Sequence, residues 1–262
     1  MTEALEEYLE FATETAYAAG RLTLGYFKTG VSPHMKADAT PVTVADRLAE
    51  ELIRQRIEER YPDHGIVGEE LPEKTGPSAS HHRWFVDPID GTRSFVCGVP
   101  LYAVLIGLEI EGHVQVGAAY YPALDEMLCA ATGKGCWWNG RRARVSTVAE
   151  LDRAVVTFTG GSPSFWGRGK GEVWEALQRQ AGYCAGWTDA YGYLLVATGR
   201  TEIAVDPAMA TWDCGPFPPI LDEAGGYFGD WKGNSTIYGG EALATNASLL
   251  PQVLEVLNGR SG

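Results

Sequence analysis

The sequence predicts an α+β fold in which an antiparallel N-terminal half, residues 1–145, joins a smaller α/β half, residues 146–262. Three observations carry this expectation. Two long N-terminal segments repeat their apolar residues at the helical period. Short apolar runs between residues 84 and 138 are separated by turns, as in an antiparallel sheet. After Val145, strand-like and helix-like segments alternate, which suggests a layered α/β unit.

The first helix is expected from Glu3 to Phe27, with Leu5, Leu9, Ala12, Ala16 and Ala19 on one face and glutamates elsewhere. Residues Gly30 to Pro41 read as a polar loop. A second helix runs from Thr43 to Tyr61, burying Leu48, Leu52, Ile53 and Ile57, and Tyr61-Pro62-Asp63-His64-Gly65 ends it. Ile66-Val67-Gly68 is a short strand leading into Glu69-Glu70. Leu71 to His82 is rich in Pro, Gly and Ser and reads as a loop. Trp84-Phe85-Val86 is a buried strand that delivers Asp87 at its end. Strands follow at Tyr102–Ile110 and His113–Tyr121, with Glu111-Gly112 as the hairpin turn between them. Glu126–Ala131 and Gly135–Trp138 continue the run. In the second half, strands are expected at Val155–Phe158 and Thr201–Val205, and helices at Lys170–Gln180, Ala190–Thr198 and Pro219–Ala224. Trp212-Asp213 opens the last helical pattern, and Pro216, Pro218 and Pro219 predict a delayed or kinked start there.

Composition narrows the function. Lys and Arg number 21 against 34 Asp and Glu, a formal net charge of −13 that repels nucleic acid and anionic membrane. The basic stretch Gly140-Arg141-Arg142-Ala143-Arg144 is short and reads as an exposed hairpin tip. No apolar run is long enough to span a membrane, and the acidic start Met1-Thr2-Glu3 lacks the basic region of a secretory leader. The five cysteines are odd in number and carry no CxxC or His-rich spacing, which fits free thiols in a reducing cytoplasm.

The informative motif is Asp87-Pro88-Ile89-Asp90-Gly91-Thr92, taken with Glu69-Glu70 upstream and Trp212-Asp213 downstream. Clustered carboxylates are what a hard divalent cation needs when water and phosphate fill its other positions. Neighbouring strand ends can bring Glu69, Asp87 and Asp90 close enough to hold two ions roughly 3.5–4 Å apart. The competing reading is a solvated acidic turn, since Asp-Pro and Asp-Gly are common turn pairs. Thr43-x-x-Asp46 fits a capping box, so Asp46 taken alone is a helix cap. Asp213 taken alone is also a cap.

Together these residues resemble the inositol monophosphatase-like superfamily of magnesium-dependent, lithium-sensitive phosphatases. The resemblance rests on Trp84-Phe85-Val86-Asp87-Pro88-Ile89-Asp90-Gly91-Thr92-Arg93-Ser94-Phe95 and on Trp212-Asp213-Cys214 ahead of Glu223-Ala224-Gly225-Gly226, and it covers nearly the whole chain. It implies a layered α-β-α-β-α sandwich and two to three Mg2+ ions. Glu69, Asp87 and the Ile89 carbonyl would hold the first ion, and Asp87, Asp90 and Asp213 the second. A third, looser ion would sit by Glu69, with Glu70 behind it. Thr92, partnered by Asp46, would orient and help deprotonate the attacking water. The Gly91 and Thr92 backbone N–H groups would cradle phosphate. The implied reaction is in-line displacement on a phosphate monoester.

Within the superfamily, Asp-Gly-Thr-Arg-Ser-Phe followed by Gly98-Val99-Pro100-Leu101 is similar to the histidinol-phosphate phosphatase branch, as are Asp189-Ala190-Tyr191-Gly192-Tyr193 and Ala210-Thr211-Trp212-Asp213-Cys214. Asp189 and Asp206 fall where the family places substrate contacts, and two carboxylates would suit the cationic leaving group of L-histidinol phosphate. Their other readings are a helix N-cap for Asp189 and a turn before Pro207 for Asp206. Arg93 could contact phosphate or form a salt bridge. The resemblance also implies a homodimer. The alternatives are an inositol-1-phosphate or broader sugar-phosphate phosphatase and, from another class, a regulatory protein that binds RNA machinery. The ligand set and the acidic charge count against the latter. A bisphosphate nucleotidase would require more basic side chains.

Overall fold

Period-2 alternation, continued through strand after strand, sorts the side chains of this protein into stacked layers. The computed structural model describes residues 2–30, 32–35, 41–77, 81–160, 166–167, 170–187 and 189–259. Helices α1 (Thr2–Leu24) and α2 (Val44–Arg60) form the outer layer. Between them lies a small antiparallel ribbon of β1 (His34–Met35) and β2 (Pro41–Val42), so the segment expected to be a loop is partly paired. Residues 36–40 of that segment, like 78–80 of the next loop, lie outside the described residues. The first helix stops three residues early because Gly25 turns the chain and Lys28 takes a positive φ.

The second layer is a seven-stranded sheet in the order β3 (Gly65–Gly68), β4 (His82–Asp90), β5 (Ala103–Ile110), β6 (His113–Tyr121), β7 (Glu126–Ala131), β8 (Gly135–Trp138) and β9 (Arg141–Arg142). Its β3–β4 pair is parallel and the remaining pairs are antiparallel. Trp84, Val86, Val104 and Ile106 point to α1 and α2, where Ala12, Ala16, Ile53 and Ile57 meet them. The alternate residues Phe85, Ala103 and Leu105 point to the other face. Each large side chain buried this way stabilises the fold by about 1.5–3 kcal/mol. The arginine-rich tip is exposed strand β9, where Arg142 lies over the Trp137 ring and Arg144 donates to the Glu223 carbonyl.

A short helix α3 (Thr92–Val96) follows β4. Beyond β9 comes a five-stranded mixed sheet in the order β11-β10-β12-β14-β13, built from β10 (Val155–Phe158), β11 (Tyr183–Ala185), β12 (Ile203–Asp206), β13 (Gly226–Gly229) and β14 (Ala242–Asn246). Helices α4 (Gly171–Gln180) and α8 (Leu250–Leu257) cover its outer face through Leu177, Val253 and Val256 against Val156, Ile203, Val205 and Leu243. Its inner face carries Ala204, Ala242 and Ala244, whose small size admits the middle helices α5 (Ala190–Ala197) and α7 (Phe217–Glu223). The architecture is thus the α-β-α-β-α sandwich. Strands β11, β13 and β14 and helix α8 go beyond the sequence reading. Both faces of this sheet are covered, so its short apolar runs lack the polar alternation that marks a strand.

The proline-rich segment forms two helices, α6 (Thr211–Cys214) and α7, separated by Gly215-Pro216. This break is seated on the seven-stranded sheet at Gly107 and Gly117, which pair directly across β5 and β6. A β-carbon on Gly107 would lie 2.3 Å from the Gly215 carbonyl oxygen, and one on Gly117 2.0 Å from that of Pro216. The paired glycines open the hollow that lets α6 reach the sheet.

Candidate active site

Strand β4 runs on through the acidic motif instead of ending at Val86. Pro88 cannot donate to the ladder, and the register slips between Asp87 and Asp90, which pair with Leu105 and Ala103. The irregularity turns both aspartates to one side. Asp87 Oδ1 accepts the Ile89 N–H at 3.0 Å, and Asp90 Oδ2 accepts the Ala190 N–H at 2.6 Å. Asp213 is the third residue of α6 and accepts the N–H of the capping residue Ala210 at 2.8 Å, so it supports the helix start from within the first turn instead of being the cap itself. It also reaches the motif: one oxygen each of Asp87, Asp90 and Asp213 lie within 4.8 Å of one another. The three prolines after Asp213 therefore do not draw it away from the other two aspartates.

These residues line a cavity of about 450 Å³ together with Glu69, Ile89, Gly91, Thr92, Arg93, Thr159, Asp189 and Met209. Burial pushes the carboxyl of Asp213 up to about 6, with Glu69 adding to the rise. Burial also raises Asp87 and Asp90 well above the ordinary carboxylate range, Asp87 further through Glu69 and Asp90 further through Asp189. Carboxylates this close repel unless protons or cations neutralise them. Arg93 is the one basic side chain among the described residues that line the cavity. Three converging hard oxygen donors fit a divalent cation.

Thr92 and Asp46 do meet. Asp46 Oδ2 accepts the Thr43 N–H at 2.8 Å and the Thr43 hydroxyl at 2.5 Å, closing the capping box. Its other oxygen faces Thr92 Oγ1 at 3.4 Å, and Thr92 Oγ1 also lies 3.1 Å from the Ile89 carbonyl. The cap and the site contact coexist because a carboxylate has two oxygens. Burial raises the Asp46 carboxyl against the opposing Thr43 hydrogen bonds, with Glu70 nearby adding to the rise. The Glu70 N–H donates to buried Glu50 at 2.7 Å. Gly91 has φ of +80° and opens α3 with no side-chain cap.

The two expected substrate contacts separate. Asp189 lines the cavity and has φ of +55° and ψ of −153°, a conformation that costs a residue with a β-carbon about 1–3 kcal/mol. It precedes α5 but its side chain makes no capping bond there. Its Oδ2 lies 3.0 Å from where a β-carbon on Gly91 would stand. The neighbouring Thr188 lies outside the described residues. Asp206 instead turns inward and is buried. Its oxygens accept the Thr159 N–H at 2.9 Å and the Tyr193 hydroxyl at 2.5 Å, and it does not line the cavity. The parallel β10–β12 pairing sets Thr159 beside Asp206, and the Thr159 hydroxyl accepts the Asp189 N–H at 2.9 Å. Asp206 therefore supports Thr159, which in turn holds Asp189. Nothing in the sequence marked Thr159 or Met209. Glu50 and Arg54 were not marked either, although they follow Asp46 at successive four-residue intervals on one helix.

Known proteins resemble this chain in sequence and fold. The sequence model of the inositol monophosphatase family matches residues 4–259. A histidinol-phosphatase from Chlorobaculum parvum is 47% identical over 238 residues, covering 90% of this chain and 91% of the relative. A histidinol-phosphatase from Mycobacterium tuberculosis is 39% identical, covering 85% and 86%. The solved structure of an inositol monophosphatase from Anabaena (Nostoc) sp. PCC 7120 superposes with a TM-score of 0.86 at 29% identity, over 98% of this chain and 97% of that one. Fold, acidic cluster and relatives define the class, a metal-dependent phosphomonoesterase. The chain belongs to the inositol monophosphatase family. Among the described residues no helix is long and apolar enough to cross a membrane.

Proposed function

We propose that this protein hydrolyses L-histidinol phosphate to L-histidinol and phosphate with the help of two to three Mg2+ ions. The observation that carries the reading is the meeting of Asp87, Asp90 and Asp213 in the cavity that also holds Glu69 and Thr92. Glu69, Asp87, the Ile89 carbonyl, Asp90 and Asp213 would hold the cations, with Glu70 beside them. Bound Mg2+ supplies positive charge that activates water and neutralises the transferring and leaving oxygens. Thr92 Oγ1 orients the attacking water, and Asp46, its hydrogen-bond partner at 3.4 Å, takes up the proton. The backbone N–H groups of Gly91 and Thr92, at the start of α3, receive phosphate oxygens.

Substrate choice is supported by charge. Among the described residues the cavity wall carries Glu69, Asp87, Asp90, Asp189 and Asp213 against a single basic residue, Arg93. Asp189, on the cavity wall, would receive an ammonium or imidazolium group through a charge-assisted hydrogen bond. Asp206 contributes from behind, through Thr159. The histidinol-phosphatase names of two similar relatives agree with this choice. Free cysteines throughout the chain fit a cytoplasmic enzyme, and the family resemblance favours a homodimer, which light scattering would test.

The deciding experiment is phosphate release from L-histidinol phosphate, inositol-1-phosphate and a sugar phosphate, with and without Mg2+. The expected result is Mg2+-dependent release with a clear preference for histidinol phosphate. A preference for inositol-1-phosphate rejects the substrate. Failure to hydrolyse any ester rejects the phosphatase reading.

A further inference from the structure

We propose that Glu50, with Arg54, is a positioning residue that sets Glu69 in the cation site, an inference that rests on the phosphatase reading. Helix α2 presents Asp46, Glu50 and Arg54 at four-residue intervals, so all three lie along one face. Their neighbours on the buried side are Ala45, Ala49, Ile53 and Ile57, and the charged stripe is itself buried. Asp46 holds Thr92; the next two residues hold the turn that follows β3.

Glu50 has zero exposure, and three hydrogen bonds from the Glu50–Arg54 pair reach that turn. Its Oε1 accepts Arg54 Nε–H at 2.7 Å and the Leu71 N–H at 3.2 Å, while Oε2 accepts the Glu70 N–H at 2.7 Å. Arg54 Nη2 donates to the Leu71 carbonyl at 3.0 Å. On the other side of Glu69, a β-carbon on Gly68 would stand 2.1 Å from Glu50 Oε1, so only glycine admits the carboxylate. The Glu69 N–H itself donates to the Val86 carbonyl at 3.3 Å, one residue before Asp87. Glu69 is thus clamped between two residues that Glu50 touches, and it is tied to the strand that carries Asp87. One rigid helix thereby fixes the spacing between Thr92 and Glu69.

A buried ion pair is poor evidence for stability, since apolar replacements of similar volume are often neutral. What an apolar pair cannot do is receive the Glu70 and Leu71 N–H groups and hold the Leu71 carbonyl. The role is geometric, and supporting residues of this kind tune cation affinity.

The test uses Glu50→Gln and the double variant Glu50→Leu/Arg54→Met in the full chain. Calorimetric titration of Mg2+ into metal-free protein should show affinity weakened about 10–100-fold in both. In phosphate release, the Mg2+ concentration for half-maximal rate should rise, and the rate should largely recover at saturating Mg2+. Val253→Ala, which opens a cavity in the distant layer under α8, is the control for general loss of stability and should keep wild-type affinity. Unchanged Mg2+ affinity in the Glu50 variants overturns the proposal. So does an equal loss in Val253→Ala. If the wild-type protein binds no Mg2+, the phosphatase reading falls and this inference with it; if wild type and the Glu50 variants bind Mg2+ equally, only this inference falls and the phosphatase reading stands.

Discussion

One wall of the cavity is built from a sheet and the other from turns. On the side of the seven-stranded sheet, Glu69 follows β3 while Asp87 and Asp90 lie in its parallel neighbour β4, where the ladder fixes the backbone, and the Gly215-Pro216 break just after Asp213 is seated on the same sheet at Gly107 and Gly117. On the side of the five-stranded sheet, Thr159, Asp189 and Met209 sit in connections beyond strand ends, where side-chain hydrogen bonds hold the first two and the Gly240 carbonyl holds the Met209 N–H. A carboxylate cluster needs the first kind of wall, because mutual repulsion would push apart groups on a compliant backbone. A wall of turns can change its residues without disturbing the sheets, which suits recognition of a leaving group.

Removing one charge from the rigid wall should have the largest effect. Asp90→Asn is expected to cut Mg2+-dependent phosphate release on the order of a thousandfold, the loss of a few kcal/mol of charge stabilisation. The metal-free variant should melt at a higher temperature than wild type, because a buried like charge is gone. Activity within tenfold of wild type would move the chemistry off this wall. Gly107→Ala comes next. Its β-carbon has no room beneath Gly215, so a loss of about 1–3 kcal/mol in denaturant unfolding is expected, with weaker Mg2+ binding as α6 and Asp213 shift. Normal stability would show that the hollow is not needed.

The rigid wall also predicts a pH dependence. Carboxyls raised in the native state hold protons that the unfolded chain has released, so the stability they contribute is present at low pH and lost as pH rises. For Asp213 the window runs from its ordinary value of 3.8 to about 6. Metal-free protein should lose stability across that window relative to Asp213→Asn, and Mg2+ should remove the difference above it. Parallel melting curves of the two proteins from pH 4 to 7 would contradict this, with the window taken from the same raised carboxyl. The smallest effect belongs to the wall of turns. Asp189→Asn should lower turnover of histidinol phosphate about tenfold, the worth of one charge-assisted bond, and leave a neutral ester nearly unchanged. Equal losses on both esters would remove the charge argument.

Much of this was readable before any coordinates. The strands at residues 113–121, 126–131, 135–138 and 155–158 fall where the apolar runs and turns placed them. The apolar run Trp84-Phe85-Val86 announced the strand, though not its continuation through the acidic motif, and the capping box announced Asp46 as a helix cap. The last third was harder. Strands β13 and β14 and helix α8 carry few residues each, and a strand covered on both faces shows no alternation. Asp206 illustrates a different difficulty. Sequence position places it at a strand end near the site, but which way its carboxylate turns depends on Tyr193 and Thr159, from two other elements.

By itself the sequence determined what is local: the helical and strand periods, the caps, the run of oxygen donors around Asp87, and the excess acid that calls for cations. Those signals survive in isolation because they act between residues a few positions apart. Only the tertiary structure decided which carboxylates share a cavity. Asp213 arrives because two glycines on neighbouring strands make a hollow, Glu69 because a buried glutamate one turn beyond Asp46 grips its loop, and Asp206 stays out because its hydrogen bonds close inside the sheet. Each depends on contacts across long stretches of chain, where close packing and hydrogen-bond satisfaction, not periodicity, choose the partner.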